Sequence, residues 1–101
     1  MNAKAEFLQN VILKDLLCAH VSYQYEYGEF KDYYLKIGYS ETDLNQFLNQ
    51  LDFEYDSGYG AQYLFGNVWL KGGKKWLSRY EYDGSEQWIL NKLPEIPKEC
   101  Q

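Results

Sequence analysis

The sequence predicts an α+β domain: a mainly antiparallel sheet, made of two hairpins and a short final strand, packed by two helices in the order α-β-β-α-β-β-β. Three observations carry that prediction. Apolar residues recur at helical spacing at the start of the chain and again, behind a capping signal, near its middle. Alternating apolar and polar residues flank glycine-marked turns. The 101 residues suffice for one hydrophobic core but not for two, so residues 1–101 form a single domain.

The first element is a helix over 3–19. Phe7, Leu8, Val11, Ile12, Leu16 and Leu17 fall at helical spacing with no Gly or Pro among them, and Leu13 widens the stripe. A stripe that wide implies a helix covered on more than one side, by its own sheet or by another subunit. A hairpin over 21–39 follows. A two-residue loop at Gly28-Glu29 would set Tyr25 against Asp32. A three-residue loop, Gly28-Glu29-Phe30, gathers Val21, Tyr23, Tyr25, Tyr27, Tyr33, Leu35, Ile37 and Tyr39 on one face and leaves Phe30 at the tip. Ser40 and Asp43 then open a helix over 41–51, whose Leu44, Phe47, Leu48 and Leu51 make a narrow core-facing stripe.

The second hairpin, with the final strand, spans 62–90. Gly72-Gly73 supplies the positive φ values of a tight primed turn. That loop sets Lys71 opposite Lys74, Trp69 opposite Trp76, Val68 opposite Leu77, Asn67 opposite Ser78 and Phe65 opposite Tyr80. Phe65, Trp69, Trp76 and Tyr80 then share one face, and Val68 and Leu77 the other. The four rings are assigned chiefly to the core beneath the two helices. Asp83-Gly84 marks the next turn. A two-residue loop there would oppose Glu81 and Glu86, so repulsion favours a four-residue loop through Glu86 and a short strand from Gln87 to Leu90. Pro94 and Pro97 make 92–101 an extended tail.

Composition narrows the function. With 46% hydrophobic and 19% aromatic residues the chain has the apolar area to fold. It lacks a membrane-spanning run and an evident signal peptide, which implies a cytoplasmic protein with Cys18 and Cys100 as free thiols. Formal net charge is −5, and it is unevenly spread. No Lys or Arg occurs between Lys36 and Lys71, whereas Glu41, Asp43, Asp52, Glu54 and Asp56 do; Lys71, Lys74, Lys75 and Arg79 follow as a basic hairpin tip. A nucleic-acid binder carries a basic excess, so nucleic acid is disfavoured as the primary partner and a protein with a basic surface is favoured.

Chemistry-bearing patterns are few. His20, just past the first helix, reads as a helix-terminal histidine at the negative end of the dipole. Cys18, two residues away, does not face it, and no nucleophile–base–acid set can be assembled, so no catalytic residue is assigned and the chain reads as a non-enzyme. Two distant cysteines and one histidine give no zinc site. Asp52-x-Glu54-x-Asp56 departs from a calcium loop, with Ser57 and Tyr63 where Gly and Glu are needed. No metal or cofactor is assigned.

Phe65-Gly66-x-Val68-Trp69, Trp76-x-x-Arg79-x-Glu81-Tyr82-Asp83-Gly84-Ser85-Glu86-x-Trp88 and Pro94-x-Ile96-Pro97 resemble, as ordered words, the C-terminal half of small accessory proteins encoded by bacteriophages and prophages. The resemblance covers roughly residues 47–97. It implies a phage context, in which small acidic proteins often block host defence proteins, CRISPR effectors and restriction systems among them. The expected function is therefore a protein-binding inhibitor acting in the host cytoplasm. Its expected partner surface is Asp52, Glu54, Tyr55, Asp56 and Tyr59, with Tyr34 and Phe30 as further aromatic contacts. The alternative is a small-ligand or nucleotide module using Trp69, Trp76, Arg79 and Tyr80; a third reading is a homo-oligomer formed through the first helix.

Overall fold

The computed structural model describes residues 1–26, 28–55, 62–82 and 85–101. Its elements are α1 (Ala3–Asn10), a 3-10 turn (Leu13–Asp15), β1 (Leu16–Glu26), β2 (Glu29–Leu35), α2 (Glu41–Gln50), β3 (Leu64–Leu70), β4 (Lys75–Tyr82), β5 (Ser85–Lys92) and a closing 3-10 turn (Lys98–Cys100). The order α-β-β-α-β-β-β is as the sequence predicts. All five strands form one antiparallel sheet in the order β2-β1-β3-β4-β5. Among the described residues no helix is long and apolar enough to cross a membrane.

The predicted 3–19 helix ends at Asn10. Asn2 caps its start by accepting from Ala5 N–H at 2.9 Å, and Val11 and Ile12 are already extended. Both are β-branched, which weakens helix and favours strand. Leu16 to Ala19 belongs to β1. Leu16 pairs with Leu70 and Cys18 with Trp69, so Leu17 is an extra, bulged residue. The buried Leu16 and Ala19 therefore lie three apart within a strand, a spacing that imitates one face of a helix.

β1 and β2 pair Ala19 with Leu35 and Val21 with Tyr33, not Tyr25 with Tyr33 as a three-residue loop requires. Glu26 pairs with Glu29, and a bulge between Gln24 and Glu26 absorbs Tyr25. Because the register moves by an even number of residues, the predicted faces survive: Val21 and Leu35 are buried, and Tyr23 and Tyr33 pack beside them. Ile37 and Tyr39 lie beyond β2, where Gly38 (φ +85°) turns the chain into α2. Tyr27 lies outside the described residues. The α2 start is a full capping box, with Asp43 N–H donating to Ser40 Oγ at 3.1 Å and Ser40 N–H to Asp43 Oδ2 at 3.0 Å.

Pairing of Asn67 with Ser78, Val68 with Leu77 and Trp69 with Trp76 follows the Gly72-Gly73 turn as predicted; Phe65 and Tyr80 lie beyond that ladder. β4 and β5 pair from Lys75–Lys92 to Tyr82–Ser85 without a shift, so Glu81 does oppose Glu86 and the loop has two residues, not four. Repulsion does not prevail because Glu86 turns into the core and is neutralised there by Arg79, as described below. Asp83 and Gly84 themselves lie outside the described residues.

Both helices cover the face that carries Val21, Val68 and Leu77. Phe7 of α1 meets Phe47 of α2 (centroids 5.6 Å apart) and Trp88 of β5 (6.1 Å), both edge-on. Leu16, Leu51 and Leu64 complete the core, each such side chain contributing about 1.5–3 kcal/mol by leaving water. One glycine sets the spacing of the sheet. Gly66 has φ +150° and pairs with Val21; a Cβ there would stand 2.3 Å from the His20 carbonyl oxygen and 3.0 Å from Val21 Cα. Both obstacles are backbone, so position 66 must lack a side chain. Gly66→Ala is expected to destabilise the domain by about 1–3 kcal/mol, read as a lower urea midpoint at unchanged slope; an unchanged midpoint would show that β1 and β3 can separate freely.

Candidate functional site

With both helices on one side, the other side of the sheet is open. Alternation along the strands places Phe30, Asp32 and Tyr34 of β2 on it, then His20 and Ser22 of β1, Phe65, Asn67 and Trp69 of β3, and Trp76, Ser78 and Tyr80 of β4. Tyr34 is 61% exposed and Trp69 42%, and Phe30 and Tyr80 are comparably bare. Phe30 and Phe65 meet edge-on at 5.7 Å. The assignment of the hairpin rings to the core is thus reversed: Val68 and Leu77 face the helices, and the aromatic side faces out. The smaller aliphatic side chains fit beneath Phe7 and Phe47, where four more large rings would not.

A polar cluster occupies the β1–β2 part of this face. Asp32 Oδ1 lies 2.9 Å from His20 Nε2, and Ser22 Oγ–H donates to the same carboxylate oxygen at 2.5 Å while lying 3.2 Å from the same ring nitrogen. Tyr34 stacks on the imidazole, with centroids 4.4 Å apart and planes within 5°. Ser, His and Asp here do not form a nucleophile relay, because that arrangement needs the acid on one imidazole nitrogen and the hydroxyl on the other. The Ser22 hydroxyl first, and the His20 hydrogen bond second, hold the Asp32 carboxyl below the ordinary carboxylate range. His20 is not helix-terminal. It lies within β1, paired with Tyr34, and not beyond the end of a helix.

Beside this cluster lies an apolar depression of about 440 Å³ whose lining includes Cys18, His20, Tyr34, Ile37 and Trp69, with Lys36 also on its wall. Burial raises the Cys18 thiol pKa above its ordinary value, which keeps it protonated. Cys18 and Cys100 are both free.

The expected acidic, tyrosine-rich surface is not assembled as one patch. Tyr34 and Phe30 lie on the open face, Phe30 within β2 and not at a loop tip. Asp52 and Glu54 are exposed on a segment that pairs with the chain start: Asn2 Nδ2–H donates to Asp52 Oδ1 at 3.0 Å, and Glu54 Oε2 lies 3.3 Å from the terminal ammonium. That segment lies on the helix side, since Phe53 stacks on the core-facing Tyr23 at 4.4 Å. Tyr55 is buried. Asp56 and Tyr59 lie outside the described residues.

Arg79 does not join Trp69, Trp76 and Tyr80. Its side chain points to the core face, where Nη1 lies 3.1 Å from Glu6 Oε1 and Nη2 donates to Glu86 Oε1 at 2.8 Å and to the Tyr55 hydroxyl oxygen at 2.9 Å. The Tyr55 hydroxyl in turn donates to Glu6. Glu86 also accepts from Tyr63 N–H at 2.8 Å and Leu64 N–H at 3.0 Å. The guanidinium sits 5.0 Å over the Trp88 ring. Burial alone would lower the Arg79 pKa, but the Glu86 hydrogen bond and the Glu6 charge outweigh it and hold it raised. Burial, then the hydrogen bond to Glu6, pushes the Tyr55 hydroxyl well above its ordinary range. Arg79 and Tyr55 are structural. Their sequence signal was weak, because nothing local links Glu6 and Tyr55 to Arg79. Among the described residues no group of three or more His, Cys, Asp or Glu is placed to hold a metal ion.

No protein-family model, curated protein or solved structure matches the chain.

Two outcomes follow from these clusters. Arg79→Met, which keeps much of the volume but leaves Glu6 and Glu86 buried without their cation, is expected to cost about 3–5 kcal/mol of stability, measured by urea unfolding; a loss near zero would mean water reaches the carboxylates. For Asp32 the folded pKa lies below the unfolded one, so its contribution is present above the unfolded value and is lost as pH falls through the folded value. Wild type should therefore lose stability relative to Asp32→Asn below about pH 4. A gap between the two proteins that stays constant across the acid range would refute the cluster's role.

Proposed function

We propose that this chain is a non-enzymatic protein-binding protein: a phage-encoded inhibitor of a host defence protein, of the CRISPR-effector or restriction-enzyme kind, acting in the host cytoplasm. The observation that carries protein binding is the open aromatic face. It presents exposed Phe30, Tyr34, Trp69 and Tyr80, and among the described residues its outward side chains on β1 to β4 include no Lys or Arg, with Lys36 at the rim of the depression just past β2. Exposed aromatic rings with few charges among them are the composition of an interface centre. A platform for single-stranded nucleic acid would need cations for the phosphates. Tyr34 and Trp69 flank the depression as rigid anchors of the type that dominates binding energy.

The net charge of −5 supports a partner with a basic surface, because complementary potential raises the encounter rate and selects among partners. In this reading Asp52 and Glu54 shape the long-range field, while the contact itself is made by the sheet. The phage context and the class of target rest on the resemblance of the 47–97 region.

Purified CRISPR effectors and restriction endonucleases serve as probes, with DNA cleavage measured with and without the chain. One of them should be inhibited at near-stoichiometric concentration. Tyr34→Ser combined with Trp69→Ser should raise the half-inhibitory concentration by more than about a hundredfold, as loss of two anchors of about 2 kcal/mol each implies. Asp52→Lys with Glu54→Lys should raise it about tenfold or less. The reverse ranking would return the site to the acidic segment, and a chain that inhibits none of the enzymes would overturn the inhibitor reading.

A further inference from the structure

The two edges of the sheet are built differently. β2 carries Glu29, Lys31 and Asp32 among its seven residues, and α2 packs beside it. Charges on an edge strand keep a further strand from adding to it. β5 carries an exposed charge at its end, Lys92, but none along its middle. Its eight residues contain no proline and pair with β4 without a bulge; no charge lies from Gln87 to Asn91, and Glu86 is occupied by Arg79. Alternate N–H and C=O groups of an edge strand point away from its neighbour. Among the described residues no other backbone bonds to the outer side of β5. The tail turns beside Lys74 at the hairpin tip, with Leu93 N–H donating to Lys74 O at 2.8 Å. On the helix side, Leu90 is 52% exposed and Ile12 62%, and they share an apolar cleft of about 280 Å³ with Leu77 and Trp88.

We propose that a second copy of this chain adds its β5 antiparallel to this β5, giving a two-fold dimer in which the five-stranded sheet is continued across the axis. The occupant is identified by the strand's match to itself. A two-fold antiparallel pairing must centre on a residue if inward side chains are to meet inward ones. Centred on Ile89, the pairing sets Ile89 against its own copy, Trp88 against the half-exposed Leu90, Gln87 against Asn91 and Glu86 against Lys92. Centred on Trp88 it would oppose Glu86 to Leu90, and centred on Leu90 it would oppose Trp88 to Lys92. Of these three registers, only the one centred on Ile89 matches apolar with apolar and amide with amide. The dimer is independent of the inhibitor reading, since β5 need not touch the target.

Sedimentation equilibrium of the full chain should give twice the 12.0 kDa chain mass. In a Cys18→Ser, Cys100→Ser background, mild oxidation should cross-link Ile89→Cys, whose sulfurs meet at the axis within disulfide reach. Gln87→Cys in the same background should not cross-link, because 87 faces 91. Ile89→Lys should be monomeric with an unchanged circular dichroism spectrum. A wild-type monomer at every concentration overturns the proposal. So does a dimer that survives Ile89→Lys but dissociates in Tyr34→Ser, Trp69→Ser, which would place the contact on the open face, or cross-linking that is equal at 87 and 89.

Discussion

The Arg79 guanidinium lies where α1, the 52–55 segment, β4 and β5 converge, and its contacts with Glu6, Tyr55 and Glu86 decide how those pieces meet. A buried ion pair adds little net stability, because removing its charges from water costs about as much as their attraction returns. Its influence here is on arrangement. Glu86 must face inward to reach Arg79, which fixes the β4–β5 register even at the cost of opposing Glu81. The same carboxylate takes up the Tyr63 and Leu64 N–H groups and so sets where β3 begins. Glu6 brings α1 down on the sheet where Arg79 matches its charge.

That cluster also explains the sidedness of the molecule. Once Arg79 and both carboxylates are sealed beneath α1, the helices are committed to the face that carries Val68, Leu77 and Trp88. The opposite face keeps its rings in water. Contiguous exposed aromatics on a small monomeric protein generally mark a surface with a partner. The scarcity of cations among them, with Lys36 at the rim of the depression, gives that surface its chemical character.

How much was legible in the sequence depended on the range of the interaction. The capping box of Ser40 and Asp43 and the turn at Gly72-Gly73 act over a few residues, and both elements stand where the residues indicate. The even-numbered slip between β1 and β2 shows that alternation fixes faces more firmly than partners. Leu16 and Leu17 continue the apolar stripe of α1 in sequence, and only the pairing of this segment with β3 reveals it as strand. The face of the β3–β4 hairpin that meets the helices could not be read from the hairpin. It is decided by Glu6, far away in the chain, by Glu86 on the next strand, and by the volume left beneath Phe7 and Phe47. For the same reason Tyr55 and Arg79 read as site residues, while His20, Ser22 and Asp32, brought together only by the β1–β2 ladder, did not.

The close approach of β1 and β3 at Gly66 has a bearing on how the chain reaches its native state. β1–β2 and β3–β4–β5 are each local meanders, able to form by short loop closures. The join between them unites opposite halves of the chain and must close a long loop before it gains any hydrogen bond. With no side chain at position 66, the two preformed halves can slide together backbone to backbone without first opening either one. The strand pair most distant in sequence is thereby spared a side-chain obstacle at the point where its backbones come closest.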